Sequence, residues 1–249
     1  MSSPSGPEAA EPSATGPVVH AVVPAAGRGE RYGGATPKQL VEIGGTPLVC
    51  WTVERLLEAG CVSVTVAVRA EDLASADARL RPPAGERGSG EVRFVAGGET
   101  RQASVAAALA ASPAGPGDLV AVHDGARPAF DPADFLATVA EAARRGGALL
   151  GRAVTDTVKR VESGRVVETL DRRGLFRAET PQVFRREVLE QSLEQARRDG
   201  FVGTDESSLV ERLSGIEIAL VEARRPNPKV TSPEDLALVT RILASEEWS

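Results

Sequence analysis

A chain of 249 residues with 42% hydrophobic and 26% charged content can bury a sizeable core, as one large α/β domain or two small ones. Its net charge of −6 and isoelectric point near 5.2 argue against nucleic acid and anionic membrane surfaces as partners. No apolar stretch reaches the roughly eighteen residues of a membrane span. Two cysteines, Cys50 and Cys61, are too few for a disulfide framework or a metal site, so reduced thiols in the cytoplasm are expected.

Residues 1–17 are rich in Ser, Pro, Ala, Gly and Glu and lack a basic start or an apolar core. They read as a disordered tail rather than a signal peptide, ahead of a single domain over residues 18–245. Residues 18–23 (VVHAVV) are an apolar run suited to a buried strand, which Pro24 stops for want of an N–H. A loop of small residues follows, Ala25-Ala26-Gly27, then Arg28, Gly29, Arg31, Gly33 and Gly34, closing at Pro37-Lys38. Small side chains let backbone N–H groups face a ligand, and the cations Arg28, Arg31 and Lys38 share the loop, which together describe a phosphate cradle. A glycine-rich turn that binds nothing has the same spelling. Tyr32 breaks a dinucleotide fingerprint, and Gln39 after Lys38 breaks a Walker A loop.

Thr46-Pro47 reads as the cap and first residue of a helix ending at Gly60. Residues 62–68 form a second strand, 71–80 a helix, 82–90 a surface loop and 92–95 a third strand. Gly97-Gly98 then leads into an Ala-rich helix. Residues 119–122 are a fourth strand, ending in His123-Asp124-Gly125-Ala126-Arg127-Pro128. Asp131-Pro132 caps the next helix, which Gly146-Gly147 stops. Alternating strands and helices predict a doubly wound parallel sheet, whose ligands bind beyond the carboxyl ends of the strands. The loops at 24–38, 97–104 and 123–127 all leave strands at that end.

A different section is expected from residue 148. Residues 158–161 and 166–170 read as a hairpin around Ser163-Gly164, within an arm of about 155–172. An isolated hairpin is marginal in water, so a second subunit is its simplest support. Helices at 185–198 and 205–213, a strand at 217–221 and a helix capped by Ser232-Pro233-Glu234-Asp235 complete the chain.

The spelling Pro24-Ala25-Ala26-Gly27-x-Gly29-x-Arg31, then Pro37-Lys38-Gln39, resembles the signature loop of sugar-phosphate nucleotidyltransferases. It is most similar to that of the 2-C-methyl-D-erythritol 4-phosphate cytidylyltransferase family of the non-mevalonate isoprenoid pathway. Gly97-Gly98-Glu99-x-Arg101-x-x-Ser104-Val105 is similar to that family's second nucleotide loop. His123-Asp124-Gly125-Ala126-Arg127-Pro128 is similar to its H-D-A-A-R-P, and Asn227-Pro228-Lys229-Val230-Thr231 to its N-I-K-V-T. The matches fall in the family's order over residues 18–240.

The resemblance implies a Rossmann-like sheet with a protruding β-hairpin arm, and transfer of CMP from CTP to a polyol phosphate. It places Pro24, Ala25, Ala26, Gly27, Gly29, Gly97, Gly98, Ser104 and Asp124 around the nucleotide, with Arg101 supporting the second loop. It places Arg31, Lys38 and Lys229 at the reacting phosphates. Asp124, Gly125, Arg127, Thr157, Arg172 and Thr204 would hold the polyol phosphate, the arm coming from the neighbouring subunit of a homodimer. Mg²⁺ would meet Asp124. The chain departs at Pro228, which replaces Ile, and at Pro226, where an acid often precedes the Asn; a second metal carboxylate there stays open.

Read from the residues alone, Asp124 is either an Asx-turn or a carboxylate for Mg²⁺ carried by a triphosphate. Thr204 is either an N-cap or a substrate contact. His20, on a buried strand, reads as structural. The chemistry asks for no general base: a phosphate monoester has a second pKa near 6 and is already ionised at neutral pH. Cations that hold two anions in line are what the step requires. A cytidylyltransferase for ribitol 5-phosphate would share most motifs. A glycosyltransferase would carry Asp-x-Asp, which the chain lacks. A non-catalytic nucleotide-binding regulator would not need Arg31, Lys38, Asp124 and Lys229 together.

Overall fold

In the computed structural model, which describes residues 16–27, 40–81 and 90–245, the first strand is β1 (Val19–Pro24), buried over all but its last residue. The loop positions Arg28, Gly29, Arg31 and Lys38, the surface loop from 82 to 89 and most of the expected tail lie outside the described residues. After the loop come β2 (Glu42–Ile43), β3 (Thr46–Pro47), α1 (Leu48–Glu58) and β4 (Ser63–Val68). A 3-10 turn leads to α2 (Leu73–Leu80), followed by β5 (Glu91–Ala96), α3 (Arg101–Ala111), β6 (Leu119–Val122) and α4 (Pro132–Arg145). Then come β7 (Gly146–Ala153), β8 (Lys159–Glu162), β9 (Arg165–Thr169), β10 (Phe176–Arg185) and α5 (Arg186–Asp199). The chain closes with α6 (Glu206–Val210), β11 (Glu217–Glu222) and α7 (Pro233–Leu243).

Seven strands form one sheet in the order β11-β7-β10-β6-β1-β4-β5. Every pairing is parallel except the two made by β10. Strand alternation sorts the core onto two faces. Val19, Ala21 and Val23 join Leu56, Phe135 and Val139 on one side, while Val22 joins Val105, Leu109 and Leu189 on the other. A third cluster of Leu48, Ala126, Val230 and Val239 seats α7 beside the strand ends. Cys50 and Cys61 are both buried free thiols, as expected of small hydrophobes. No described helix is long and apolar enough to cross a membrane.

Several expectations need correction. Thr46-Pro47 does not open α1; it pairs with Glu42-Ile43 in a short antiparallel ladder, and Pro47 precedes the helix with no side-chain cap. Residues 148–153 do not start a separate section, because β7 joins the main sheet between β10 and β11. The helix expected at 205–213 is the shorter α6. The largest departure is β10, which had no counterpart in the sequence reading. Its ladder shifts register between Ala178 and Gln182, so Pro181 sits where the pairing is interrupted and no ladder N–H is required of it.

The hairpin forms as expected. β8 and β9 pair around Ser163 and Gly164, both with positive φ (49° and 77°), the twist a two-residue turn needs. All residues of both strands are exposed, the valines at 161, 166 and 167 among them. At the other end of the sheet, His20 Nδ1 lies 2.7 Å from the Ser63 hydroxyl and Nε2 lies 3.3 Å from Asp118, which confirms a structural role.

Phe184 on β10 is fully buried, and its ring occupies the space above Gly147, where a Cβ would fall 2.6 Å from it. Phe184→Ala is expected to cost about 3–5 kcal/mol in urea unfolding; a loss below about 1 kcal/mol would show that β10 is not a core strand.

Candidate active site

The strands β1, β4, β5 and β6 run parallel, so their carboxyl ends share one edge. The first and second loops extend the ladder beyond it: Ala25 N–H donates to Ala67 O at 2.8 Å and Gly97 N–H to Val68 O at 2.7 Å. The two loops touch at Gly97, where a Cβ would fall 2.5 Å from Ala26 Cβ and 2.9 Å from Ser104 Oγ. Gly98 is as confined, against Ala103 Cβ at 2.5 Å. Only glycine allows this approach. Ser104 is buried; its hydroxyl accepts from Gly98 N–H at 3.2 Å and donates to Thr100 O at 2.9 Å, fixing the second loop. Pro24 ends β1, Ala25 is buried below the edge and Gly27 is exposed on it.

Asp124, two residues beyond the end of β6 and next to His123, is the centre of the charged cluster. Lys229 Nζ reaches its Oδ2 at 2.7 Å, Arg101 Nε its Oδ1 at 3.2 Å, and Arg127 Nε stands 3.5 Å from Oδ2. Burial pushes the Asp124 carboxyl up, but Arg101 and Lys229 outweigh it and hold the group below the usual carboxylate range. Its backbone N–H donates to Thr180 Oγ1 at 3.1 Å, a contact supplied by β10. Arg101 also forks onto Glu206, at 2.7 and 2.9 Å, from the first residue of α3 to the first residue of α6.

The segment carrying Lys229 is bound to the edge at several points. Arg127 donates to Asn227 O at 2.6 Å, Asn227 Nδ2 to Thr180 O at 2.8 Å, and Val230 N–H to Ala126 O at 2.9 Å. Gly125 O accepts from Thr52 Oγ1 at 3.1 Å. A Cβ at Gly125 would lie 3.1 Å from Val23 and 3.4 Å from Val49, so an alanine there would need only a small adjustment.

Asp124, Gly125, Arg127 and Lys229 are thus brought together, next to Gly97, Gly98 and Ser104. Thr157 and Arg172 lie on the exposed arm, where Arg172 bonds the Thr155 carbonyl. Thr204 is exposed and is not the cap of α6: Asp205 caps that helix, with Ser208 closing a capping box. Sequence reasoning missed Thr180 and Glu206. Among the described residues no group of three His, Cys, Asp or Glu side chains could hold a metal by itself. Asp124 offers one carboxylate, which fits a cation whose other ligands are phosphate oxygens.

His123 is not a proton carrier here. It is fully buried, edge-on to Phe130, and its Nε2 must carry the proton because it lies 2.9 Å from the Arg127 carbonyl, which can only accept. Burial brings its pKa down to about 4, so it is neutral at pH 7.

The IspD family model, described as 2-C-methyl-D-erythritol 4-phosphate cytidylyltransferase, matches residues 19–245. A relative of that name from Solibacter usitatus is 41% identical over 241 residues, 92% of this chain and 96% of its own. The crystal structure of the enzyme of that name from Thermus thermophilus superposes with a TM-score of 0.72 at 32% identity, covering 92% of this chain and all of that one. A 4-diphosphocytidyl-2C-methyl-D-erythritol synthase from Anaerococcus prevotii superposes with a TM-score of 0.77 at 26% identity, covering 93% of this chain.

Because the folded His123 pKa is depressed below the unfolded value of about 6.5, its contribution to stability is complete above that pH. It is lost as pH falls towards 4, by at most about 1.4 kcal/mol per unit. Urea unfolding of wild type and His123→Leu between pH 7 and 4.5 should show a shallower fall in the variant; parallel curves would contradict the assignment.

Proposed function

The chain belongs to the 2-C-methyl-D-erythritol 4-phosphate cytidylyltransferase family, and we propose that it transfers CMP from CTP to 2-C-methyl-D-erythritol 4-phosphate in isoprenoid precursor synthesis. The observation that carries this reading is Asp124 held by Lys229, Arg101 and Arg127 at the strand edge where the glycine loops meet. We read residues 18–245 as one cytoplasmic nucleotidyltransferase domain, paired into a homodimer through the exposed arm.

In this reading a phosphate oxygen of the polyol phosphate attacks the α-phosphorus of CTP. The new P–O bond forms as the bond from that phosphorus to the β-phosphate bridging oxygen breaks, and pyrophosphate leaves. The nucleophile is already ionised, in keeping with a site whose histidine is neutral and enclosed. Lys229 would hold the reacting phosphates, joined by Arg31 and Lys38 of the first loop. Pro24, Ala25, Ala26, Gly27 and Gly29 would line the triphosphate, while Gly97, Gly98 and Ser104 would fix cytosine and ribose. Asp124, Gly125 and Arg127, with Thr204 and the arm's Thr157 and Arg172, would orient the polyol phosphate. Mg²⁺, bound through Asp124 and the nucleotide's phosphates, would supply further positive charge for the transition state.

Purified protein with CTP and Mg²⁺ is expected to release pyrophosphate with 2-C-methyl-D-erythritol 4-phosphate and not with ribitol 5-phosphate; the reverse result would move the enzyme to another polyol. Lys229→Ala should lower kcat on the order of 100-fold, with a smaller change in KM, because its charge matters most as the phosphates reorganise. A near-normal kcat would remove Lys229 from the mechanism.

A further inference from the structure

Glu206 is buried to 1% side-chain exposure, yet it carries a carboxylate that only Arg101 meets with a salt bridge among the described residues. The Arg101 guanidinium uses its terminal fork, both end nitrogens, on the two oxygens of Glu206. What remains for Asp124 is Nε alone, at 3.2 Å. A two-bonded fork onto a carboxylate is stronger and better aligned than a single contact. Were Glu206 absent, the same fork would be free to rotate onto Asp124 and cover its oxygens.

Both ends of this brace are anchored. Thr100 caps α3 by accepting from Ala103 N–H, which fixes the helix start that bears Arg101. Under Glu206, the capping box of Asp205 and Ser208 is bonded to β10, because Gln182 donates to Asp205 at 2.8 Å and accepts from Ser207 N–H at 2.9 Å. β10 in turn binds the Asp124 backbone through Thr180. Burial raises the Glu206 carboxyl above its usual range, and Arg101, its partner, opposes that rise.

We propose that Glu206 is a positioning residue of the reaction, holding Arg101 edge-on so that Asp124 is met by its Nε alone and not covered by its terminal fork. The proposal rests on the active-site reading above. Glu206 itself, enclosed behind Arg101, acts only through it.

The test is a double-mutant cycle on the full chain. Glu206→Gln keeps the shape and loses the charge; kcat should fall on the order of 10–100-fold, with the KM for CTP changed less. In an Arg101→Ala background the same substitution should change kcat less than about twofold, because the group it acts through is gone. Equal losses in both backgrounds, or none in the wild type, would overturn the proposal. Should Glu206→Gln fail to fold by circular dichroism, Arg101→Lys serves, since an ammonium cannot bridge two carboxylates in fixed geometry; full activity in that variant would overturn it. A readout independent of turnover is the Arg101 Nε–H resonance in the NMR spectrum. It should be protected in wild type and lose protection in Glu206→Gln, and an unchanged signal would overturn the bracing. A wild type silent with CTP and either polyol phosphate would refute the functional reading, while the resonance still decides the role of Glu206.

Discussion

The Asp124 carboxylate is what the strand edge is assembled around. A carboxylate this far from water costs several kcal/mol to desolvate, and the cations beside it come from widely separated parts of the chain: Arg101 from α3, Arg127 from the same turn, Lys229 from the segment after β11. None of these contacts need add much net stability, since desolvation and attraction nearly cancel in buried ion pairs. Their effect is geometric. The three cations converge on one carboxylate, and that arrangement fixes the second loop, the β6 turn and the Lys229 segment relative to one another.

β10 makes that arrangement possible. Running against its neighbours, it brings its middle, not its end, to the carboxyl edge of β6, with Gln182 opposite Val122. Thr180 and Gln182 can then bond Asp124 and the α6 cap. The same reversal determines where the arm emerges. β7 finishes at the carboxyl edge and β10 begins there, with Phe176 opposite Ala153, so β8 and β9 leave the sheet on the side of the cluster. A crossover helix between two parallel strands would instead have returned the chain to the far edge.

The parts of this fold that were legible in the sequence are those written in local chemistry. β4 and β6 are short apolar runs; α4 and α7 announce themselves through Asp131-Pro132 and Ser232-Pro233, and both aspartate and serine caps form as read. β10 was not legible, because Glu179, Thr180, Pro181 and Gln182 interrupt its apolar pattern in the middle. Glu179, Thr180 and Gln182 are buried polar residues, and Thr180 and Gln182 bond Asp124 and the α6 cap. Thr46-Pro47 misled for the opposite reason: it has the spelling of a helix start but the hairpin with Glu42-Ile43 takes it. Asp124, Arg127 and Lys229 could be named from motifs. The pairing of Arg101 with Glu206 could not, since 105 residues separate them and neither flank signals the other.

The two prolines that depart from the family spelling also have a physical account. Between β11 and α7 the backbone is held by bonds to its neighbours: Arg224 N–H donates to Asp134, the Arg225 carbonyl accepts from Arg152, and the Asn227 carbonyl accepts from Arg127. Val230 N–H then bonds Ala126 O. Positions 226 and 228 lie between these anchors, where a proline removes no N–H that the anchors use. Its fixed φ lowers the conformational freedom of the unfolded segment, which favours the folded path by a few tenths to about 1 kcal/mol per site where the geometry is compatible. An acid at 226 would add charge to a segment whose lysine is already matched by Asp124. Pro226 and Pro228 instead stiffen the approach to Lys229, so the ammonium is placed by backbone restraint on both sides as well as by its ion pair.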